Sequence, residues 1–423
     1  MRPIHALTAK AFTLTALLSG TLASAATSIT YGTWDETRQA TDKALIAAFE
    51  KTHPDIKVTY NLVPWDVYWE KSAAMVAGGR TFDVLWMNLD NFPFYQSQGA
   101  LAPIDLGEGR ARMPAKLIAP YRVNGQIYGA PLGPQAVTFY INKALFAERG
   151  VKIPTDAWSW NEVVAAAKKL TFKKGNQQIF GINAGDMQTD VEYGMSLYYS
   201  QGGKGIIRKA GGGYVPALDA TFAKTSQQLL DLIYKDKVAP PPGGTRRQGY
   251  QLFLAGQMGI YVEGSWSVGT WTQNPELPWA FAPFPSMDGA PPRPVYSAHA
   301  LVIPTASTQK ASAQMFLTWM TTSPEAELIV AKAGLLPPQA EQYRAAYLGA
   351  LKNRNAQTVL AQLPRSVIIN DDVRKLSNLP EVLNVLNQQL NLAWTGNTTL
   401  PNAIDAASKA MAGLLKQSKV IGK

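Results

Sequence analysis

The chain has no cysteine and only three histidines in 423 residues. Without cysteine there are no disulfide staples, no thiol nucleophile and no cysteine-linked lipid anchor, so a chain this long must be held by packing. The histidines leave little for metal or acid–base chemistry. His5 lies in the first 25 residues, His53 precedes Pro54 in a turn, and His299 stands alone. Neither a zinc site nor a Ser-His-Asp arrangement has the material it needs, and no metal or cofactor is expected. Runs of like charge are missing as well. The formal charge is +10, from 40 Lys and Arg against 30 Asp and Glu. The basic residues are dispersed, approaching one another only as pairs such as Lys168-Lys169, Lys173-Lys174 and Arg246-Arg247, which does not favour a nucleic-acid tract. No apolar run reaches the roughly 20 residues of a spanning helix.

What is present begins with an export signal. Arg2 and Lys10 precede the short apolar stretch Ala11 to Ala23, and Ala23-Ser24-Ala25 fits small-x-small cleavage, so residues 1–25 read as a signal peptide cut before Ala26 or Thr27. Removing Arg2 and Lys10 from the 40 basic residues leaves 38 against 30 acidic, or +8. The expected product is a periplasmic protein, and its length favours two domains over one core.

The first hundred residues alternate strand and helix. "SITYGTW" (28–34) reads as a strand, and "QATDKALIAAFEKTHP" as a helix carrying Leu45, Ala48 and Phe49 and stopped by Pro54. In "IKVTYNL", Ile56, Val58, Tyr60 and Leu62 alternate with polar residues, the mark of a strand with one better buried face. A helical stripe runs from Trp65 through Tyr68, Trp69 and Ser72 to Met75 and Val76, with Gly78 read as its left-handed cap. "FDVLWM" has no alternation, as in a strand covered on both faces. The pattern is α/β with a mostly parallel sheet, where ligands gather at the carboxyl ends of strands. A similar unit follows, with Ser159 and Glu162 at capping-box spacing. The last ninety residues read as helical. Breaker clusters at 130–135, 282–294 and 334–338 are candidate crossings between lobes.

Catalytic motifs fail on inspection. "EGSWSVG" lacks the glycine a nucleophile elbow needs where Ser265 stands, and "QGGKGIIRKAGGG" (201–213) fits no phosphate loop and reads as a surface loop. Acids stand at turns after strands: Asp35, Asp90, Asp186 and Glu263. Two converging carboxylates would suit glycoside cleavage, and acids and amides beside indoles would equally suit sugar binding.

Six blocks carry a resemblance. "FEKTHPDIKVTY" is similar to an F-E-x-x-x-P-x-I-K-V segment. "VAGGRTFDVLWM" with "QGALAPID" resembles A-x-G-x-x-P-D-V and Q-G-x-L-x-x-L-D, with Phe82 where proline is usual. "VNGQIYGAP", "YINKALFAERGVKIP" and "SWNEVVAAAKKLT" resemble further signatures in the same order, and "FLAGQMGIYVEGSW" closes the series. The chain therefore resembles the carbohydrate-type extracellular solute-binding proteins of ABC importers, the maltose-binding class. The resemblance implies a type II-like periplasmic-binding-protein fold of two α/β lobes with a helical C-terminal region. One lobe is expected from 26–133 with about 295–335, the other from 134–294 with about 336–423. The hinge crossings would lie near 130–136, 284–298 and 334–340. It also implies capture of a sugar or small oligosaccharide, with no catalysis, and delivery to the membrane subunits of a permease by a monomeric protein.

Position by position, the resemblance implies ligand contacts at Trp34 and Asp35 after the first strand and at Asn88 and Asp90 after the third. It adds Gln135 in the first crossing, where the maltose-binding class has a carboxylate, together with Glu263 and the stacking aromatic Trp266. Asp186, Tyr193 and His299 complete the expected set, with Trp65 either at the cleft rim or in a buried stripe. Two other readings stay open: a binder of an anionic molecule such as a glycerol phosphate or glucuronide, and an exported glycoside-cleaving enzyme.

Overall fold

The computed structural model describes residues 26–155, 157–184, 191–242, 248–368, 373 and 375–421. The chain begins β1 (Thr27–Thr33), helix Gln39–Thr52, β2 (Ile56–Leu62), helix Trp65–Ala77 and β3 (Val84–Met87), the expected alternation. β1 lies between β2 and β3 and parallel to both, with Tyr31 opposite Tyr60 and Val84. All four residues of β3 are buried, which is why its sequence does not alternate, whereas β2 is an edge strand with Lys57 and Thr59 exposed. Asp83, just before β3, ties that strand to β1. Its Oδ2 accepts from the Thr30 N–H and hydroxyl at 2.8 Å each, and its Oδ1 from the Ser307 hydroxyl at 2.6 Å. Phe82, the departure from proline, lies where a Cβ on Gly32 would stand, 2.3 Å from the ring, so the glycine of β1 makes room for it.

A ribbon of β4 (Arg122–Val123) and β5 (Gln126–Ile127) leads to β6 (Ala130–Pro131). The chain then builds a second sheet with β7 (Gln135–Asn142), β8 (Phe172–Lys174) and β9 (Gln177–Ile182). The hairpin β10 (Ile207–Ala210) and β11 (Gly213–Pro216) precedes β12 (Met258–Gly264), β13 (Trp279–Ala282) and β14 (Tyr296–Ser297), and β15 (Ala300–Val302) follows. The first sheet has the order β2-β1-β3-β15-β6 and the second β13-β7-β12-β9-β8, with β14 also on β7.

Both sheets are mixed, which corrects the expectation of mostly parallel ones. β15 runs antiparallel to β3 and β6, while β7 runs antiparallel to β12, β13 and β14. Parallel neighbours need a helical crossover within one sheet, and strands arriving from the other sheet, such as β15, are free of that constraint.

β7 is buried along its whole length because the second sheet is covered on both faces. Val137, Phe139 and Ile141 join one core, with Val382, Leu386 and Met411 of the C-terminal helices Leu379–Trp394 and Leu400–Leu415. Tyr140 joins another, with Tyr261, Trp271 and Trp279. Around the first sheet, Ile29, Phe49, Trp86 and Phe316 form the remaining core, which Ile421 re-enters from the chain's end.

Local signals mostly match their outcomes. Ser159 and Glu162 form both bonds of the capping box. The cap of helix Trp65–Ala77 differs: Gly79 is left-handed at φ 66°, while Gly78 stays at −81°. The glycine-rich stretch expected as a loop is in part the β10–β11 hairpin. Gly211 and Gly212 both take positive φ, 56° and 79°, as a two-residue turn matching strand twist requires.

Candidate ligand site between the two sheets

Trp34 follows the last residue of β1, and the structure surrounds that half-buried indole with rings. Helix Trp65–Ala77 turns Trp65, Tyr68 and Trp69 toward it at one-turn spacing, with centroids 5.2, 4.9 and 5.2 Å away. Trp86 approaches from β3 at 5.0 Å, and His299 from the segment entering β15 at 5.2 Å. Most meet Trp34 edge to face, the arrangement the ring quadrupole favours.

The second sheet continues the path. Its strand β12 ends in a turn that places Trp266 over Gly264, where a Cβ would stand 2.1 Å from the indole. Trp266 lies 6.1 Å from His299 and stacks on Tyr193, of helix Val191–Ser200, at 6.5 Å with planes 21° apart. Rings from both sheets thus form one continuous path, with His299 and Trp266 as its joint.

Polar groups beside this path are incompletely matched. Trp69 Nε1, His299 Nδ1, Gln135 Oε1 and Arg38 Nη1 are buried and have no hydrogen-bond partner among the described residues. A buried polar group left in that state costs about 1–3 kcal/mol, which a ligand hydroxyl would offset. Arg38 reaches Asp42 through Nε at 3.3 Å and Nη2 at 3.1 Å, and its guanidinium lies 5.3 Å from the Trp86 centroid. Burial, helped by the Arg38 charge, pushes His299 down to about 4, so its ring is neutral at neutral pH. Burial pushes Asp42 up to about 6 against the pull of Arg38, and raises Asp35.

Of the expected residues, Trp34, Trp65, Tyr193, Trp266 and His299 come together in this path. Asp35 stands beside it as the cap of the following turn, its Oδ1 accepting from the N–H and hydroxyl of Thr37. Asn88 and Asp90 are half-buried in the loop after β3, where Asn88 Oδ1 accepts from Asn91 Nδ2 at 2.9 Å and its N–H at 3.0 Å. Gln135 opens β7 at 3% exposure. Glu263 pairs with Thr138 across β12 and β7, its Oε1 accepting from the Gly264 N–H at 2.8 Å. Asp186 lies outside the described residues. Tyr68, Trp69, Trp86 and Arg38 were not anticipated. The Trp65–Trp69 stripe was visible as a buried face, and Trp86 and the Arg38/Asp42 spacing carried no signal separating site from core. Among the described residues no group of three His, Cys, Asp or Glu is placed to hold a metal ion, and no helix is long and apolar enough to cross a membrane.

Two helix-flanked sheets, with ring-bearing strand ends meeting between them, define a two-lobed α/β binding protein. The chain belongs to the bacterial extracellular solute-binding protein family, whose model matches residues 33–327. The mannitol-binding protein of Pseudomonas aeruginosa is 25% identical over 440 residues, covering 94% of this chain and 95% of that one. A Brucella abortus (strain 2308) protein is 28% identical over 222 residues, 51% of this chain and 52% of its own, so the match spans about half of that relative. Among solved structures, an ABC substrate-binding protein from Listeria monocytogenes in complex with cycloalternan superposes with TM-score 0.81 at 22% identity, covering 92% of this chain and 99% of that one.

Proposed function

We propose that this protein captures a neutral polyhydroxy solute, a sugar or sugar alcohol, between its sheets and presents it to an ABC-type membrane permease. The observation that carries the reading is the ring path joined across the sheets at His299 and Trp266, flanked by unpartnered buried polar atoms. Rings offer apolar surface to the C–H face of a sugar, and polar atoms lacking partners accept or donate to its hydroxyls. The names of the Pseudomonas and Listeria relatives, mannitol-binding and cycloalternan-bound, point the same way.

An anionic ligand is less well supported. Arg38 is engaged by Asp42, and the expected site residues Asp35, Asp90 and Glu263 are acids that would oppose a phosphate or carboxylate. The reading needs no catalytic group. It takes residues 26–133 with about 295–335, and 134–294 with about 336–423, as lobes closing about crossings near 130–136, 284–298 and 334–340. Trp34, Asp35, Trp65, Asn88, Asp90, Gln135, Tyr193, Glu263, Trp266 and His299 line the cleft in this reading. The protein acts as an exported monomer, freed of residues 1–25 and binding no nucleic acid.

Thermal melts against D-mannitol, D-sorbitol, maltose, glucuronate and glycerol 3-phosphate test it, since a ligand at a hundred times its Kd adds about 2.7 kcal/mol. A shift with a neutral member supports the reading. A shift confined to the two anions, or turnover of a labelled oligosaccharide, would overturn it.

A further inference from the structure

Beside the ring path, the turn after β1 touches the opposite lobe. Thr37 donates both its N–H, at 3.0 Å, and its hydroxyl, at 2.7 Å, to Asp35 Oδ1. Its carbonyl accepts from Gln273 Nε2 at 2.9 Å. Gln273 ends the short helix Val268–Thr272 that follows Trp266, so this bond joins elements built on different sheets. In the same helix, Gly269 faces Thr37. A Cβ there would stand 2.5 Å from Thr37 Oγ1 and 3.1 Å from Leu335 Cδ2. Its backbone is helical, so the need for glycine is one of close approach and not of φ.

Both partners grow from strand ends that face the space between the sheets. β1 continues through Trp34 and Asp35 to Thr37, and β12 through Trp266 to Gly269. Atoms inserted between Thr37 and Gly269 therefore push the strand ends apart, and with them the joint between His299 and Trp266. The same displacement loosens Thr37 from Asp35.

We propose that Thr37, Gly269 and Gln273 form a latch that couples lobe closure to the placing of Asp35 and Trp34, and so sets affinity without touching the ligand. This rests on reading the space between the sheets as the ligand site. The three are positioning residues: the closed arrangement is favoured by the close approach at Gly269, and the Gln273 bond registers the two ends.

Four variants of the full chain test this: Gly269→Ala, Gly269→Val, Gln273→Ala, and Gly269→Ala combined with Thr37→Gly, which removes the two Thr37 atoms nearest the new methyl and leaves Leu335 Cδ2 at 3.1 Å. X-ray scattering without ligand reads the open–closed balance, and stopped-flow tryptophan fluorescence with D-mannitol reads association and dissociation. A wedge that lowers the closed fraction tenfold weakens apparent affinity about tenfold, and the loss is expected in dissociation. Gly269→Val should enlarge the radius of gyration and speed mannitol release, Gly269→Ala less so, and the double variant should return toward the parent. An unchanged radius in a folded Gly269→Val protein overturns the latch. Should that variant fail to fold, Gln273→Ala decides, because its side chain is exposed: faster release or a larger radius supports the latch, and neither overturns it. If the parent protein binds no D-mannitol, that solute is not its ligand, and scattering alone decides the latch.

Discussion

The Trp266 ring stands 6.1 Å from the ring of His299, and among the described residues it is this contact that links the Trp34 group to the end of β12. A loop of the second sheet and the entry to β15 in the first meet at that point. What the joint does for binding can be separated from what it does for folding.

Trp266 is half-exposed and is held over Gly264. Trp266→Ala should weaken binding of a neutral solute by about 1.5–3 kcal/mol, roughly tenfold to a hundredfold, the worth of a large apolar contact. Titration calorimetry beside a thermal melt checks this. Unchanged affinity would remove Trp266 from the site.

Gln135 is nearly fully buried, and its Oε1 has no partner among the described residues. Replacing such a group by an apolar one of similar size is close to neutral for the fold. Gln135→Leu should therefore melt within a few degrees of the parent while losing solute affinity. A variant that melts far lower but binds as well would make Gln135 a structural residue.

His299 supplies the pH dependence. Its pKa falls from 6.5 to about 4 on folding, so it contributes stability above about pH 6.5 that is lost as pH falls toward about 4. Asp42, raised from 3.8 to about 6, acts in the opposite sense: its protonation favours the fold as pH falls from about 6. His299→Gln removes the loss due to His299 and leaves the gain from Asp42, so the variant should gain stability relative to the parent between pH 7 and pH 5. Urea melts at both values test it, and parallel behaviour would show that His299 does not titrate with unfolding.

Much of the frame was legible because its signals are local. Alternation marked β2, lack of alternation marked β3, and the Ser159–Glu162 spacing marked a helix start, each a matter of a few neighbouring residues. Trp34 and Trp266 were legible by their place after strands. Strand direction was not, since β15 and β7 take their sense from where the chain returns after crossing between sheets. Nor was the β10–β11 hairpin, where Gly211 and Gly212 read as a loop until the pairing of Arg208 with Val215 gave them a turn to make.

The sequence alone pointed to the family, through six blocks of resemblance in order, and to the α/β alternation and the aromatic residues that follow strands, through short-range periodicity. Only the tertiary structure decided that Trp86 and Tyr68, core residues by every sequence measure, also touch Trp34, and that Arg38 is neutralised by Asp42 beneath them. It alone brought Thr37 against Gly269. The physical reason is that a buried ring in a core and a buried ring beside a ligand obey the same hydrophobic rule, and only the arrangement of distant segments distinguishes them.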